Sequence, residues 1–256
     1  GLGGTPAVIS GDQRVARRHG TTAGDDYLPG RTITLEIDVL NSNHTARALL
    51  IDAFNAVFKP GAAEAPLVFQ LPSVAGGAKR RIGVRTVARK APIDLQHLYA
   101  ITELSLLLKA TDPRIYDNTE TVDQVSLPTT EGGLSFNASL NFSFGAVSTG
   151  GTINAVNSGT FDTPVVFRIN GPCVDPRITN VATSQTLALT MSIDSGDYVE
   201  IDTDARSVLL NGTASRYQYL TTSEWFDLPP GTTELDFRAA TTTAATLTAT
   251  YRSAWS

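Results

Sequence analysis

Cysteine, methionine, histidine and tryptophan are all scarce in this 256-residue chain, which holds one Cys, one Met, three His and two Trp. The lone Cys173 excludes an intrachain disulfide and leaves little to build a Cys-ligated metal site. His19, His44 and His97 stand in separate segments, with no pair at ligand spacing and no HExxH. No GxSxG elbow, Walker loop or strand-borne GxGxxG is present. The expectation is therefore no catalytic residue, no metal and no cofactor. Charged residues make up 18%, below the usual ~25%. The longest apolar run, Ala48 to Phe58, is broken by Asp52 and Asn55, and it falls short of the ~20 residues that span a bilayer. Cationic surplus is missing as well. A net charge of −5 argues against a dedicated nucleic-acid binder, whose affinity rests on cationic surface. Neither a specific nucleic-acid partner nor a membrane is expected.

What is present is a chain of ordinary apolar content, 41%, long enough for one large domain or two of common size. The charge is unevenly placed. From Met191 onward nine acids face four bases, so that segment carries the whole −5 and the remainder balances. The opening Gly1-Leu2-Gly3-Gly4 reads as loop, and the only Met is internal. The expectation is that the reading frame starts upstream and the N-terminal domain is truncated here.

Periodicity places the elements. Residues 1–30 have no pattern and read as an irregular arm. Ile33, Leu35, Ile37 and Val39 alternate with polar residues, as one strand face does. Ala46, Leu49, Leu50, Ala53, Phe54, Val57 and Phe58 follow a 3.6-residue period and predict one helix. Asn41, Ser42 and Asn43 are its N-cap candidates, and Pro60-Gly61 ends it. Strands are expected at 67–71, 81–89 and 101–110, the last closed by Asp112-Pro113, and at Leu134 to Phe144, where alternation is most regular. Gly145 to Thr160 is rich in Gly, Ser, Thr and Asn, and the domain boundary is placed near it. Beyond it, strands near 164–170, 185–193, 197–203, 206–211, 216–221, 233–238 and 245–252 are separated by turn signals. Asn211-Gly212 is the clearest of these. Such spacing predicts an antiparallel sandwich. The expected organisation is a β-rich domain with one helix over residues 1–145 and a β-sandwich over 146–256, a mainly-β chain overall.

Three clusters invite a functional reading. Asp194, Asp197, Glu200, Asp202 and Asp204 resemble a cation site in composition only. They lack the Gly and the closing Glu of a calcium loop, so a solvated hairpin face is the preferred reading. Arg81, Arg85 and Arg89 share one face of a regular strand and form a candidate intersubunit or partner-contact row. No aromatic residue is interleaved with them, which weakens a single-strand nucleic-acid reading. Trp225 is a candidate exposed residue of the C-terminal domain, able to stack on a sugar.

A larger pattern lies in the order of the motifs. Asp162-Thr163-Pro164 through Asn170-Gly171 leads to Asp175-Pro176-Arg177-Ile178-Thr179-Asn180. Gly196-Asp197-Tyr198-Val199-Glu200-Ile201-Asp202-Thr203, Ser207 to Gly212, Ser223-Glu224-Trp225-Phe226-Asp227-Leu228-Pro229-Pro230-Gly231 and the closing Tyr251-Arg252-Ser253-Ala254-Trp255 follow. Upstream stand Gly24-Asp25-Asp26-Tyr27-Leu28-Pro29-Gly30-Arg31-Thr32 and Asp112-Pro113-Arg114-Ile115-Tyr116. Taken together they resemble the distal tail proteins, or siphovirus-type tail components, of long-tailed non-contractile bacteriophages. The resemblance implies an N-terminal belt domain that forms a hexameric ring and a C-terminal galectin-like sandwich. It implies as partners copies of the chain itself, the tail tube protein, a tail hub protein and a tape measure protein. It also implies a place at the virion's tail tip after assembly in the host cytoplasm, with DNA passing through the ring. The family role is architectural. The competing readings are a carbohydrate-binding module or receptor-binding accessory of the tail, and an enzyme such as a wall hydrolase.

Overall fold

The computed structural model describes residues 7–15, 17–40, 43–61, 63–72, 75–92, 101–131, 147–241 and 244–256. The expected strand Leu134–Phe144, His97 and the cap candidates Asn41 and Ser42 lie outside the described residues. The chain divides into two compact units, Gly1–Asn118 with Ser256, and Thr119–Trp255.

The first unit is a curled antiparallel sheet with one helix. Its strands are β1 (Arg31–Leu40), β2 (Ala65–Gln70), β3 (Lys79–Lys90), β4 (Ile101–Ala110) and β5 (Ile115–Asp117). β1 and β4 pair over their whole length, from Arg31 opposite Ala110 to Leu40 opposite Ile101. Ile33 faces Leu108, so both bury on the core side. β3 is long enough to serve several neighbours. Its first half pairs with β2 and, through Arg80 and Arg81, with β5, while its second half pairs with β4. The core is Ile33, Ile82, Val84, Leu104, Leu106, Leu108 and Ile115. These are the inward positions of alternating strands, as the period-2 reading of 101–110 expected. Before β1 the described residues of the arm form two-residue ladders, Ile9–Ser10 with Asp26–Tyr27 and Gln13–Arg14 with Thr21–Thr22.

The helix α1 spans His44–Val57. Asn43 caps it, its Oδ1 accepting from Thr45 N at 3.0 Å and Ala46 N at 3.2 Å. The buried line along α1 is not the expected apolar stripe. It runs Arg47, Ile51, Phe54, Phe58, a line of i, i+4, i+7 and i+11, and Arg47 is fully buried. The helix is rotated so that the long aliphatic stem of Arg47 packs inward. The Arg47 guanidinium lies 2.9 Å from His44 Nδ1. Leu49, Leu50 and Val57 are left outside at 65%, 50% and 73% exposure.

The second unit is an antiparallel β-sandwich, as expected. Its strands are β6 (Thr121–Ser126), β7 (Thr152–Asn157), β8 (Val165–Asn170), β9 (Arg177–Asn180), β10 (Thr186–Leu189), β11 (Tyr198–Asp202), β12 (Ser207–Leu210), β13 (Ala214–Ser215), β14 (Leu220–Ser223), β15 (Gly231–Arg238) and β16 (Thr246–Tyr251). One sheet has the order β6-β16-β8-β11-β12-β13 and the other β7-β15-β9-β10-β14. Inward residues of the two sheets build the core, with Phe167, Ile169, Val199, Ile201 and Leu247 against Ile153, Ile178, Leu187, Leu235 and Phe237. Burying one such side chain contributes about 1.5–3 kcal/mol before the entropy of ordering is charged.

Two departures from the sequence reading concern boundaries. The Gly-, Ser-, Thr- and Asn-rich stretch near which the boundary was expected contains β7, whose Ile153 and Ala155 are buried and which pairs with β15. Thr152 and Asn154 on its outward side and the buried Asn157 on its inward side give it a loop-like composition. The sequence placed the domain boundary at 145/146, whereas β6 at 121–126 is hydrogen-bonded to β16 within the second unit. The expected strand 216–221 is a short 3₁₀ turn at Tyr217–Tyr219 followed by β14. The Asn211-Gly212 turn is a hairpin between β12 and β13 with both residues at positive φ, 51° and 70°.

Candidate functional site

The three predicted arginines do not form one row. Arg81 and Arg85 lie on the outward face of β3, where Arg85 is opposite Lys109. Register then slips between Thr86 and Ala88, leaving Val87 as the extra residue of a β-bulge. Beyond it the faces exchange. Arg89 is opposite Leu106, a fully buried core position. Arg89 therefore points to the helix side, where its Nη1 donates to the Asn55 carbonyl and to the Phe58 carbonyl, the latter at 2.9 Å. It closes the C-terminal end of α1, where orphan carbonyls and the negative pole of the helix favour a cation.

The outward face of β1 and β4 carries Glu36, Asp38 and Glu103, which line a shallow depression with Lys90, Pro92 and Ser105. Asp38 and Glu103 are directly opposite each other. Nothing in the separate segments announced this pairing, because it depends on register.

The motif Asp112-Pro113-Arg114-Ile115-Tyr116 is a closed turn. Asp112 Oδ1 accepts from Arg114 N at 3.0 Å and Arg114 Nε at 3.1 Å, and Tyr116 donates its hydroxyl to Asp112 Oδ2 at 2.5 Å. Here the resembling residues hold local shape. Arg80, beside Asp117 at 3.6 Å, sits at the core end of β3. Burial lowers its pKa, and the Asp117 charge raises it in partial compensation.

The acidic stretch after Met191 behaves as a hairpin. Asp202 Oδ1 accepts from Asp204 N and Ala205 N, and Asp197 Oδ1 accepts from the Asn211 amide. Among the described residues no three His, Cys, Asp or Glu side chains gather as metal ligands. Cys173 is buried, and burial pushes its thiol up to about 11, which keeps it protonated and unreactive at neutral pH. Also among the described residues, no helix is long and apolar enough to cross a membrane.

Trp225 lies in a cleft of about 420 Å³ formed where four connecting segments of the sandwich meet. Asp162 precedes β8, Asn180 to Gln185 join β9 to β10, Thr203 to Arg206 join β11 to β12, and Trp225 to Pro229 lead from β14 to β15. Trp225 is half-buried, and the ring of Tyr217 lies near-parallel to its own, 16° apart in plane and 6.4 Å between centroids. Asp162 and Asn180 stand in motifs of the sequence and Arg206 in none, but nothing there signalled their meeting, because turns distant along the chain bring them together. The second Trp, Trp255, is half-buried and does not line this cleft.

Known proteins resemble both units. Residues 158–255 match the family model described as the siphovirus-type tail component, C-terminal domain. No curated protein matches the chain by sequence. By structure the chain is similar to the Dit protein of phage SPP1, described as a paradigm of the hub adsorption apparatus in phages infecting Gram-positive hosts. The TM-score is 0.64 at 16% identity, covering 96% of this chain and 88% of that one. It is also similar to a chain of the phage P2 baseplate in its activated conformation with Ca, with TM-score 0.51 at 8% identity over 95% and 86%. The family match over residues 158–255 and the whole-chain fold likeness together bear out the resemblance to a distal tail protein.

Proposed function

We propose that the chain is a structural, non-catalytic subunit of a phage tail tip. Its first unit tiles with copies of itself into a ring, hexameric as in the family it resembles. The ring joins the tail tube protein to the hub, with the tape measure protein and then DNA passing through the lumen. The observation that carries this reading is the unburied side of α1. Leu49, Leu50 and Val57 are large apolar residues on one short helix, and each is at least half exposed. Val8, Ile9 and Tyr27 of the arm are exposed in the same way, at 51%, 57% and 65%. A lone exposed Leu needs no explanation, but apolar side chains grouped on one element mark a contact surface. A stable ring requires each subunit to bury well over about 1,000 Å² against its neighbours.

The test is an image of the intact tail tip in which the chain is traced. Several copies around one axis, with the Leu49–Val57 side of α1 covered, are expected. A single copy, or a helix face left open to solvent in the assembled particle, overturns the reading.

A further inference from the structure

We propose that the Trp225 cleft of the second unit binds a neutral pyranose, as a free sugar or a terminal unit of a surface glycan. This goes beyond the ring and does not depend on it. A pyranose offers one apolar C–H face and a rim of hydroxyls that both donate and accept. Its receptor therefore needs a fixed aromatic surface beside planar polar groups of both kinds. The cleft supplies them. Trp225 packs against the sandwich core and is flanked by Tyr217, so its position is set before any ligand arrives.

Asn180 lies beside it at 1% exposure. Its Oδ1 accepts from Ala182 N and Thr183 N. Its Nδ2 makes no hydrogen bond among the described residues, which leaves that donor for a ligand or for water. Asp162 and Arg206 are exposed at the cleft and make no ion pair or hydrogen bond among the described residues. They are an acceptor and a forked donor ready for hydroxyls.

The surrounding backbone is held in costly conformations. Ser184 and Arg206 sit at φ 60° and 48°, a region that costs a side-chain-bearing residue of this type about 1–2 kcal/mol. Such cost is tolerated where loop shape matters. The choice of a neutral ligand follows from charge. Asp162 and Arg206 bring opposite charges to the cleft, so neither an anionic nor a cationic sugar is favoured over a neutral one.

The experiment is saturation-transfer NMR on the full chain with the methyl glycosides of glucose, galactose, mannose, rhamnose and N-acetylglucosamine, each to about 10 mM. One or more is expected to bind. Asp162→Asn and Arg206→Ala are both exposed and should each weaken binding at least about tenfold, equivalent to ~1.4 kcal/mol, with the unfolding midpoint unchanged. Trp225→Ala should abolish binding. Because that change touches the core, the two exposed substitutions decide the matter if it unfolds the protein. No binding by any of the five sugars overturns the proposal. Binding that survives the Asp162→Asn/Arg206→Ala double change overturns it too. So does binding lost instead on Arg168→Ala, which alters the outer face of β8.

Discussion

Arg89 Nη1 donates to the carbonyl oxygen of Phe58 at 2.9 Å, tying the far end of β3 to the last turn of α1. The same nitrogen also reaches the Asn55 carbonyl. One residue of bulge at Val87 makes this possible, because it reverses which side of the strand Arg89 occupies. Two carbonyls of a helix terminus thus receive a charged donor in place of water.

Removing that donor should be felt as stability. Arg89→Ala is expected to cost about 1.5–3 kcal/mol, the scale of hydrogen bonds to a charged group. Arg89→Lys, which keeps the charge but not the fork, should recover part of the loss. Urea unfolding of the two variants at constant m-value measures both. A cost near zero for Arg89→Ala would show that water replaces the contact without penalty.

Tyr251 gives the sandwich an alkaline limit. Its hydroxyl donates to Asp123 Oδ2 at 2.8 Å and accepts from Val156 N at 2.7 Å. Burial first, and then the Asp123 bond and charge, push its pKa up to about 12 against the opposing effect of the Val156 bond. The folded state therefore keeps its proton where the unfolded chain, near 10, has lost it. That stability is whole below about pH 10 and declines as pH rises toward about 12. Tyr251→Phe should cost about 1–3 kcal/mol at neutral pH, because Val156 N loses its acceptor. It should also flatten the decline between those pH values. Unfolding midpoints across that range are the readout.

Asp38 and Glu103 place like charges opposite each other on β1 and β4. Asp38→Asn is expected to raise stability by a few tenths of a kcal/mol. The gain should shrink as salt rises, since both groups are exposed and screened. Thermal melts at low and high ionic strength separate this from any effect on packing.

The exposed side of α1 supplies a test of assembly that leaves folding alone. Leu49→Glu with Leu50→Glu lies on the outer side of the helix. Each change should move the stability of the isolated protein by less than about 0.5 kcal/mol. Tails assembled in the presence of the double variant should lack a complete tip. Normal, infectious tails carrying it would remove this face from the contact surface.

Much of the architecture was legible from periodicity. Leu104, Leu106 and Leu108 alternate because one side of β4 meets a core, and that demand is written residue by residue. Asn43 and Pro60 bracket α1 for the same local reason. The order of motifs in the second half carried the family resemblance, because turns such as Asn211-Gly212 impose their own backbone.

Three things were settled only in three dimensions. Which side of α1 faces inward was decided by packing, which took the stem of Arg47 over Leu49 and Leu50; a hydrophobicity pattern scores Arg as outward. The face of Arg89 was decided by a bulge that no residue type announces. The Trp225 cleft was decided by the closure of one end of the sandwich. Its residues come from four turns whose proximity follows from strand pairing between distant segments. Local sequence encodes short-range periodicity and turn preference. The meeting of distant loops and the register of paired strands depend on the whole chain at once.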